Sequence, residues 1–349
     1  MQRSTAFEPA ILAFDDPGWL EFVEAQPSAT AFHHPAWSEV LAASYGYRCS
    51  VVALRARDGD IVAGVPMADV RKPFGRHRLV SMPFTDHCPV LAREPGDVDA
   101  FTSALSRWRG AVDAPAIEIR DELRVEGAWT QRVGSRHIVD LESDSEAVFN
   151  RFERHRIRSW ISRAQDQGVV ADVGDSRQDL TDFYRLHCLT RRRLGVPVQP
   201  WRFFENLLAK VVARGIGFIV VARFAGKPVA AAVFLAWNRQ LLYKFGASDR
   251  ENGVRGANHL VMWTAMRWGC EAGYQSVDLG RTDEGHESLR AFKARWRAHE
   301  VPLIYSHLGG APRAGYRSGL GSRALAQVIR RSPTAVCRTV GELLYRYAA

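Results

Sequence analysis

A mixed α/β (α+β) chain of two successive units, each a mixed sheet flanked by helices, is what this sequence predicts, and three observations point there. Past residue 144 and an opening basic helix, apolar patterning runs strand, helix, helix, three strands, helix, strand, helix, strand. The first-half segment VVALRARDGDIVAGVPM is echoed in the second half by IVVARFAGKPVAAAVFL. Each has an apolar strand, an arginine near its end, a glycine turn and a Val/Ala-rich strand, as expected of a repeated unit. Between them the pattern resets at Glu142–Glu146, where ESDSEAVFNRF puts acids at a helix start, the end that favours negative charge. The expected units are therefore 1–143 and 144–310, followed by a basic helical tail over 311–349.

In order, the first unit reads as a strand at 10–14, helices at 17–25 and 35–44, and a hairpin of CSVVALRA and DIVAGVPMADV closed at Arg57-Asp58-Gly59. Asp-Gly between apolar runs is a strong hairpin signal. Short strands RLVSM and CPVLA follow, then a helix over 97–108 and strands AIEIR, AWTQRV and RHIVDL. The second unit opens with one basic helix over 145–167, ended by Gly168, and strand VVADV. Helices at 177–193 and 200–214 precede the apolar runs GFIVVARF, PVAAAVFLAW and QLLYKFGAS, joined at Ala225-Gly226-Lys227 and Asn238-Arg239. A helix over 257–272, strand SVDLG, a helix over 286–296 and strand VPLIYSHL complete it.

The 349 residues suit two domains, each able to bury its own core. A hydrophobic share of 46% against 24% charged is that of a globular protein. No apolar run reaches the roughly 18 residues a membrane span needs, and residues 1–14 lack the apolar core and cleavage site of a signal peptide. A cytoplasmic location is expected. Five scattered cysteines show neither C-x-x-C nor zinc-site spacing, and the histidines, His33, His34, His87 and His286 among them, show no H-E-x-x-H. No metal is expected. The net charge of +9 calls for an anionic partner: a phosphate-bearing substrate, a CoA thioester, tRNA or an acidic membrane surface. The tail alone holds seven arginines against one acid, Glu342, a net of +6. It suits peripheral contact with the inner face of the membrane or packing on the first unit; a solvated basic helix fits the charge equally.

The order of elements in the second half is similar to the GNAT acyltransferase fold, and two such units in tandem resemble the Fem-type (FemAB/FemX-like) N-acyltransferases of peptidoglycan-bridge and exopolysaccharide systems. The motifs that carry the resemblance span about residues 30–310: FHHPAWSEVLAASYGYR, MPFTDHCPVL, LHCLTRRRLGVPVQPWRFFENL, PVAAAVFLAW with LLYKFGAS, and YQSVDLGRTDEGHESLRAFKARW. The resemblance implies that the fourth and fifth strands splay and that the fourth, LLYKFGAS with Gly246, offers its backbone to an extended acyl carrier. The next helix would turn its N-terminal amides to phosphate. Arg250, Gly253, Arg255 and Gly256 replace the GNAT signature Gln/Arg-x-x-Gly-x-Gly/Ala, with Arg255 where a small residue belongs. That departure favours aminoacyl-tRNA over acyl-CoA as donor; no permanently bound cofactor is implied.

Amine acylation needs a base for the ammonium proton, donors for the tetrahedral oxyanion and a proton or charge for the leaving group. By the resemblance, Asp86 faces the acceptor amine, and Lys293 of the Phe-Lys-x-x-Phe/Trp pattern lies near phosphate or the developing oxyanion. The bland readings are a turn-capping aspartate and an exposed helix lysine. Arg193, in a Thr-x-x-Arg segment, suits a bidentate grip on a phosphate of a nucleotide-linked or lipid-linked precursor. Arg281 sits past the fifth strand, where ligand groups gather, or else pairs with Asp278 or Asp283. Tyr243 is a hydrogen-bond donor to the carbonyl or a core residue, and His87 is acceptor-site lining. The basic helix with Arg151, Arg154, Arg156, Arg158 and Arg163 suits phosphate or tRNA backbone, or simply solvent.

The expected function is thus transfer of an aminoacyl or acyl group to an amine of a cell-envelope precursor. Two rivals stand beside it: acyl-CoA-dependent N-acylation of an amino sugar or small amine, and a non-catalytic module that binds anionic polymer. Nothing in the sequence speaks to oligomeric state.

Overall fold

The computed structural model describes residues 9–72, 76–111, 115–251, 253–310 and 320–347. They fall into two compact units, Met1–Gly134 with Pro302–Ala314, and Ser135–Val301 with Gly315–Ala348.

The first unit begins with β1 (Ala10–Ala13), α1 (Pro17–Ala25) and α2 (Pro35–Tyr45). Both helices start on proline, whose missing N–H costs nothing there. Asp16 caps α1 by accepting from the Trp19 amide at 3.2 Å, and His34 Nδ1 caps α2 by accepting from Ala36 at 3.0 Å. Then come β2 (Arg48–Arg55), β3 (Ile61–Lys72), β4 (Arg76–Val80), β5 (Leu91–Ala92), α3 (Pro95–Ala111) and β6 (Ala116–Ile119). The run CPVLA, expected as a strand, is a two-residue strand and an isolated bridge from Cys88 to Arg120. Its preceding residues are spent on a loop.

β7 (Ala128–Asp140) is continuous, where two strands were expected. The units divide within it, at 134/135, and not at the helix start near 143. A chain that changes unit in mid-strand leaves no loop to mark the boundary. The second unit continues with α4 (Ser145–Arg151), one π-helical turn at Arg154–Arg158, and α5 (Ser159–Asp166). The expected single helix over 145–167 is broken because Phe152 turns extended (φ −68°, ψ 151°) and buries its ring against Trp263 and Trp296. Burial of one aromatic side chain outweighs the helical hydrogen bonds lost at the break, each worth about 1 kcal/mol net. The Glu153 amide finds the Arg295 carbonyl instead, at 3.0 Å.

There follow β8 (Val169–Gly174), α6 (Arg177–Leu194), α7 (Trp201–Lys210), β9 (Gly217–Phe224), β10 (Lys227–Trp237), β11 (Gln240–Ser248), α8 (Ala257–Glu271), β12 (Ser276–Thr282), α9 (Glu287–Ala294) and β13 (His299–Leu308). A reciprocal capping box between Ser176 and Asp179 starts α6. Helices α10 (Leu320–Arg331) and α11 (Thr334–Leu344) meet at Pro333. They pack on α6: Arg330 donates to the Leu194 carbonyl at 3.4 Å and Arg338 lies over Tyr184. Residues 311–319 of that tail lie outside the described residues.

The strands of the two units repeat one pairing plan. In the first unit β1-β2-β3-β4 are successively antiparallel, β4 pairs β6 in parallel, and β6 pairs residues 306–308 of β13 antiparallel. In the second, β8-β9-β10-β11 are antiparallel, β11 pairs β12 in parallel, and β12 pairs residues 135–140 of β7 antiparallel. β10 is central and buried along almost its whole length, the mark of a strand covered on both faces. Its run Ala230–Ala232 keeps it thin where α6 and α8 pack. Below α8 the core gathers Phe152, Phe218, Phe234, Met266 and Trp296.

Candidate functional site

In the second unit the parallel ladder between β11 and β12 runs for only three pairs, Gln240–Ser276 to Leu242–Asp278. Beyond Leu242, β11 stays paired with β10 but diverges from β12. The edge of β11 that faced β12 therefore carries backbone groups with no ladder partner. A bulge accompanies the divergence: Phe234 opposes Tyr243 and Val233 opposes Phe245, so Lys244 is the extra residue. The expected splayed pair is thus present.

Tyr243 lies at the fork, half-buried, its ring edge-on to Phe234 at 5.5 Å. Burial pushes its phenol up to about 12, so it stays a donor. Its hydroxyl occupies the space beside Gly246 that any Cβ there would fill. The end of β11 is held by α6: Thr190 Oγ1 accepts from the Ser248 amide at 2.9 Å and donates to the Ser248 carbonyl at 3.1 Å. Arg193, one turn further along α6, has its pKa lowered by burial and then by the charge of Arg250, against the pull of Asp249. Two guanidiniums thus stand close together past the strand end.

The loop after β11 enters α8 through Gly256, at φ +92° with no side-chain cap. A Cβ on Gly256 would overlap the Trp160 carbonyl, and one on Gly253 the Asp249 carbonyl. The loop is therefore pressed onto α5 and cannot relax with larger residues. Beside it opens a cavity of about 460 Å³ lined by Arg163, Gln167, Phe224, Gly253, Val254 and Arg255. Arg255, expected to crowd a wrapped phosphate, stands exposed at this rim.

Lys293 is no exposed helix lysine. It is 5% exposed and its Nζ donates to the carbonyls of Gly280 (2.8 Å) and Arg281 (3.0 Å), where β12 ends. Arg281 pairs with Asp283, and Asp278 with Arg136 at 3.3 Å. On the other face of β12 and β7, Ser135 and Thr282 are register partners, and His137 follows on the Ser135 face. All three are buried. Burial, and then the charge of Lys293, hold His137 down at about 4.

In the first unit β4 and β6 also pair over three residues, Arg78–Ala116 to Val80–Glu118. Here the chain itself fills the continuation. The Ser81 amide donates to the Glu118 carbonyl (2.8 Å), the Arg120 amide to Ser81 Oγ (2.7 Å), and the Cys88 amide to the Arg120 carbonyl (3.2 Å). Between these ties, residues 82–87 form a tight loop in which Met82 (φ 54°) and Phe84 (φ 61°) are left-handed without being glycine. Such strain, of order 1–3 kcal/mol per residue, persists only where surroundings enforce it. The enforcing group is Arg120, a buried guanidinium that donates to the Thr85 carbonyl, pairs with Glu118 at 3.3 Å and lies over the Tyr305 ring at 5.3 Å. Tyr305 in turn donates to the Asp86 carbonyl at 2.9 Å. Asp86 is half-buried on this loop, and His87 faces Asp121 at 3.3 Å.

The structure therefore gathers Tyr243 with Gly246, Arg193 with Arg250, and Gly253 with Arg255 and Gly256, all in the second unit, with Lys293 and Arg281 at the end of β12. Asp86 and His87 belong to the first. Sequence reading passed over Arg120, Tyr305 and His137. Glu118-x-Arg120 in a short apolar strand was a usable signal, since alternation puts both charges on one face; His137 offered none. Among the described residues no three His, Cys, Asp or Glu side chains are placed to hold a metal ion, and no helix is long and apolar enough to cross a membrane.

A forked parallel pair, a bulged fourth strand and a glycine-entered helix define the GNAT fold, and residues 151–297 match the family model described as an acetyltransferase (GNAT) domain. Over 140 residues the chain is 24% identical to the UDP-N-acetylmuramoylpentapeptide-lysine N(6)-alanyltransferase of Weissella viridescens, covering 40% of this chain. The match spans 41% of that relative's length. The crystal structure of FemX superposes with a TM-score of 0.69 at 15% identity, over 85% of this chain and 96% of FemX. A tandem GNAT protein from the clavulanic acid biosynthesis pathway gives 0.51 at 13% identity, over 88% and 99%. Residues 151–297 thus match a GNAT acetyltransferase domain, and the fold of the chain is similar to that of FemX.

Proposed function

We propose that this chain transfers an aminoacyl or acyl group to an amine of a cell-envelope precursor of the peptidoglycan or exopolysaccharide kind. The observation that carries the reading is the fork at Leu242: an open β11 edge that leads to the amide end of α8 and to the paired guanidiniums Arg193 and Arg250. An extended thioester or ester can lie along such an edge as an added strand, with its phosphates at the helix end.

In the reaction the amine nitrogen attacks the acyl carbonyl, a C–N bond forms, and the C–O bond to tRNA or C–S bond to CoA breaks. Asp86 takes the ammonium proton. The Tyr243 phenol, protonated at neutral pH, donates to the oxyanion, and the charge of Lys293 at the end of β12 favours the departing anion. Arg193 and Arg281 hold phosphate or carboxylate groups of the substrates, and His87 lines the acceptor. Gly246, Gly253 and Gly256 let the strand end and the donor loop pack closely on Tyr243, Asp249 and Trp160, which sets the shape of the donor path. The tail arginines bring the cytoplasmic enzyme to an anionic membrane face, where lipid-linked precursors reside.

Isothermal titration of the full chain with CoA thioesters and, separately, with charged tRNA tests the donor. Transfer that survives RNase but needs a CoA thioester would assign acyl-CoA, a reading the α8 amide end also supports. Absence of transfer from either donor to precursor amines, with the fold intact, would overturn the function.

A further inference from the structure

The turn between α6 and α7, residues 195–200, leaves two helix ends facing the tail. The last carbonyls of a helix lack donors within it and the first amides of the next lack acceptors, and the end charges favour a cation at one and an anion at the other. The tail supplies both. Arg330 of α10 donates to the Leu194 carbonyl at the end of α6 (3.4 Å), and Glu342 of α11 accepts from the Trp201 amide at the start of α7 (3.1 Å). Pro200, the N-cap residue of α7, offers no side-chain cap of its own. Glu342 is the one acid among seven arginines between 311 and 349, and this is where it is spent. Gly341 fixes the approach: a Cβ there would overlap the Val198 carbonyl, so α11 lies directly on the backbone of the turn, where Val198 is buried. A solvated arm needs no such glycine.

The same turn ends the helix that carries Arg193. Arg193 stands close enough to Arg250 to feel its charge, and two like charges held together push apart. Helix ends fray, so the last turn of α6 is where that repulsion would be relieved. Thr190 anchors the helix on Ser248, and beyond it the tail contacts at Leu194 and Val198 restrain the chain. We propose that the tail is a clamp on the α6–α7 turn, and that Arg330, Gly341 and Glu342 are positioning residues for the anion grip of Arg193. The inference rests on the phosphate-binding role proposed above for Arg193 and says what holds that side chain in place.

Titration calorimetry of the full chain with inorganic pyrophosphate tests it, with Arg193→Ala marking the part of the affinity that the grip supplies. Gly341→Val lifts α11 from the turn and changes no charge. Glu342→Ala removes the cap and makes the chain more positive, which by charge alone would tighten an anion. Each is expected to weaken pyrophosphate by about three-fold or more, because the grip must then be re-ordered at every binding event. Amide exchange should rise across residues 191–200 in a chain that still melts cooperatively. Affinity unchanged or tighter in both variants would overturn the clamp. So would full recovery on adding Pro200→Asp to Glu342→Ala, since a local cap would then do all that the tail does. If Arg193→Ala leaves pyrophosphate binding unchanged, the role proposed for Arg193 fails and this inference with it. If Arg193→Ala weakens binding while the tail variants do not, the grip stands and the clamp falls.

Discussion

Lys293→Met separates what this lysine does for the fold from what it does for chemistry. The ammonium group donates to two carbonyls, Gly280 and Arg281, at 2.8 and 3.0 Å, in a place only 5% exposed. Hydrogen bonds from a charged donor contribute about 1.5–3 kcal/mol each. Methionine keeps the apolar stem but leaves both acceptors unmet, while relieving the cost of burying a charge. The net loss is expected at about 2–4 kcal/mol. At about 2–4 °C per kcal/mol for a body of this size, melting of the second unit should fall by roughly 5–15 °C. Urea denaturation followed by tryptophan fluorescence reads it, since Trp296, three residues on, is buried against Phe152 at 5.1 Å. A change under about 0.5 kcal/mol would refute the reasoning, because it would mean the carbonyls do not depend on Nζ. Loss of transfer in a lysine variant counts as chemistry only after this stability loss has been subtracted.

Three further outcomes follow from the same geometry. Gly256→Ala should destabilise the loop by about 2–4 kcal/mol, from the left-handed φ of +92° and the overlap with Trp160, and weaken donor binding at least ten-fold; calorimetry with the donor that binds wild type checks this. Arg120→Met strips Glu118 of one of its two arginines and the Thr85 carbonyl of its donor, so about 3–5 kcal/mol of first-unit stability should go, with hydrogen exchange rising first across residues 81–88. His33 and His187 are buried, with pKa values lowered to about 4 and about 3 chiefly by burial. The unfolded chain, titrating near 6.5, then binds protons the native state refuses, so stability holds above about pH 6.5 and falls as pH drops toward 4, by the order of 3 kcal/mol per histidine. His33→Gln and His187→Gln should each flatten that decline in urea melts at pH 4.5 and 7; an unchanged slope in both would count against it.

Much of the second unit could be read directly. The limits of β9 and β11 fall where the apolar runs GFIVVARF and QLLYKFGAS begin and end, and β10 is only one residue longer than its run. Their turns are local chemistry, settled by residues a few positions apart. Asp86, Tyr243 and the 250–256 loop were found through the motifs they sit in, which say which residue types recur but not what surrounds them. Lys293 illustrates the gap: its motif marked it, yet its burial depends on β12 ending beneath α9.

By itself, the sequence determined the repeated unit, the order of its elements, the glycine-dependent approach to α8 and the net positive charge. Hydrophobic period, turn residues and charge act over short stretches of chain, so a linear reading reaches them. Tertiary structure alone decided that the basic segment breaks at Phe152, that β7 is one strand with its second half bound to β12, that the first-unit fork is filled by its own loop under Arg120, and that the tail rests on α6. Each of these is a contest between local propensity and a partner far away in sequence, and the free energy of burying an aromatic ring or pairing a guanidinium is set by that partner.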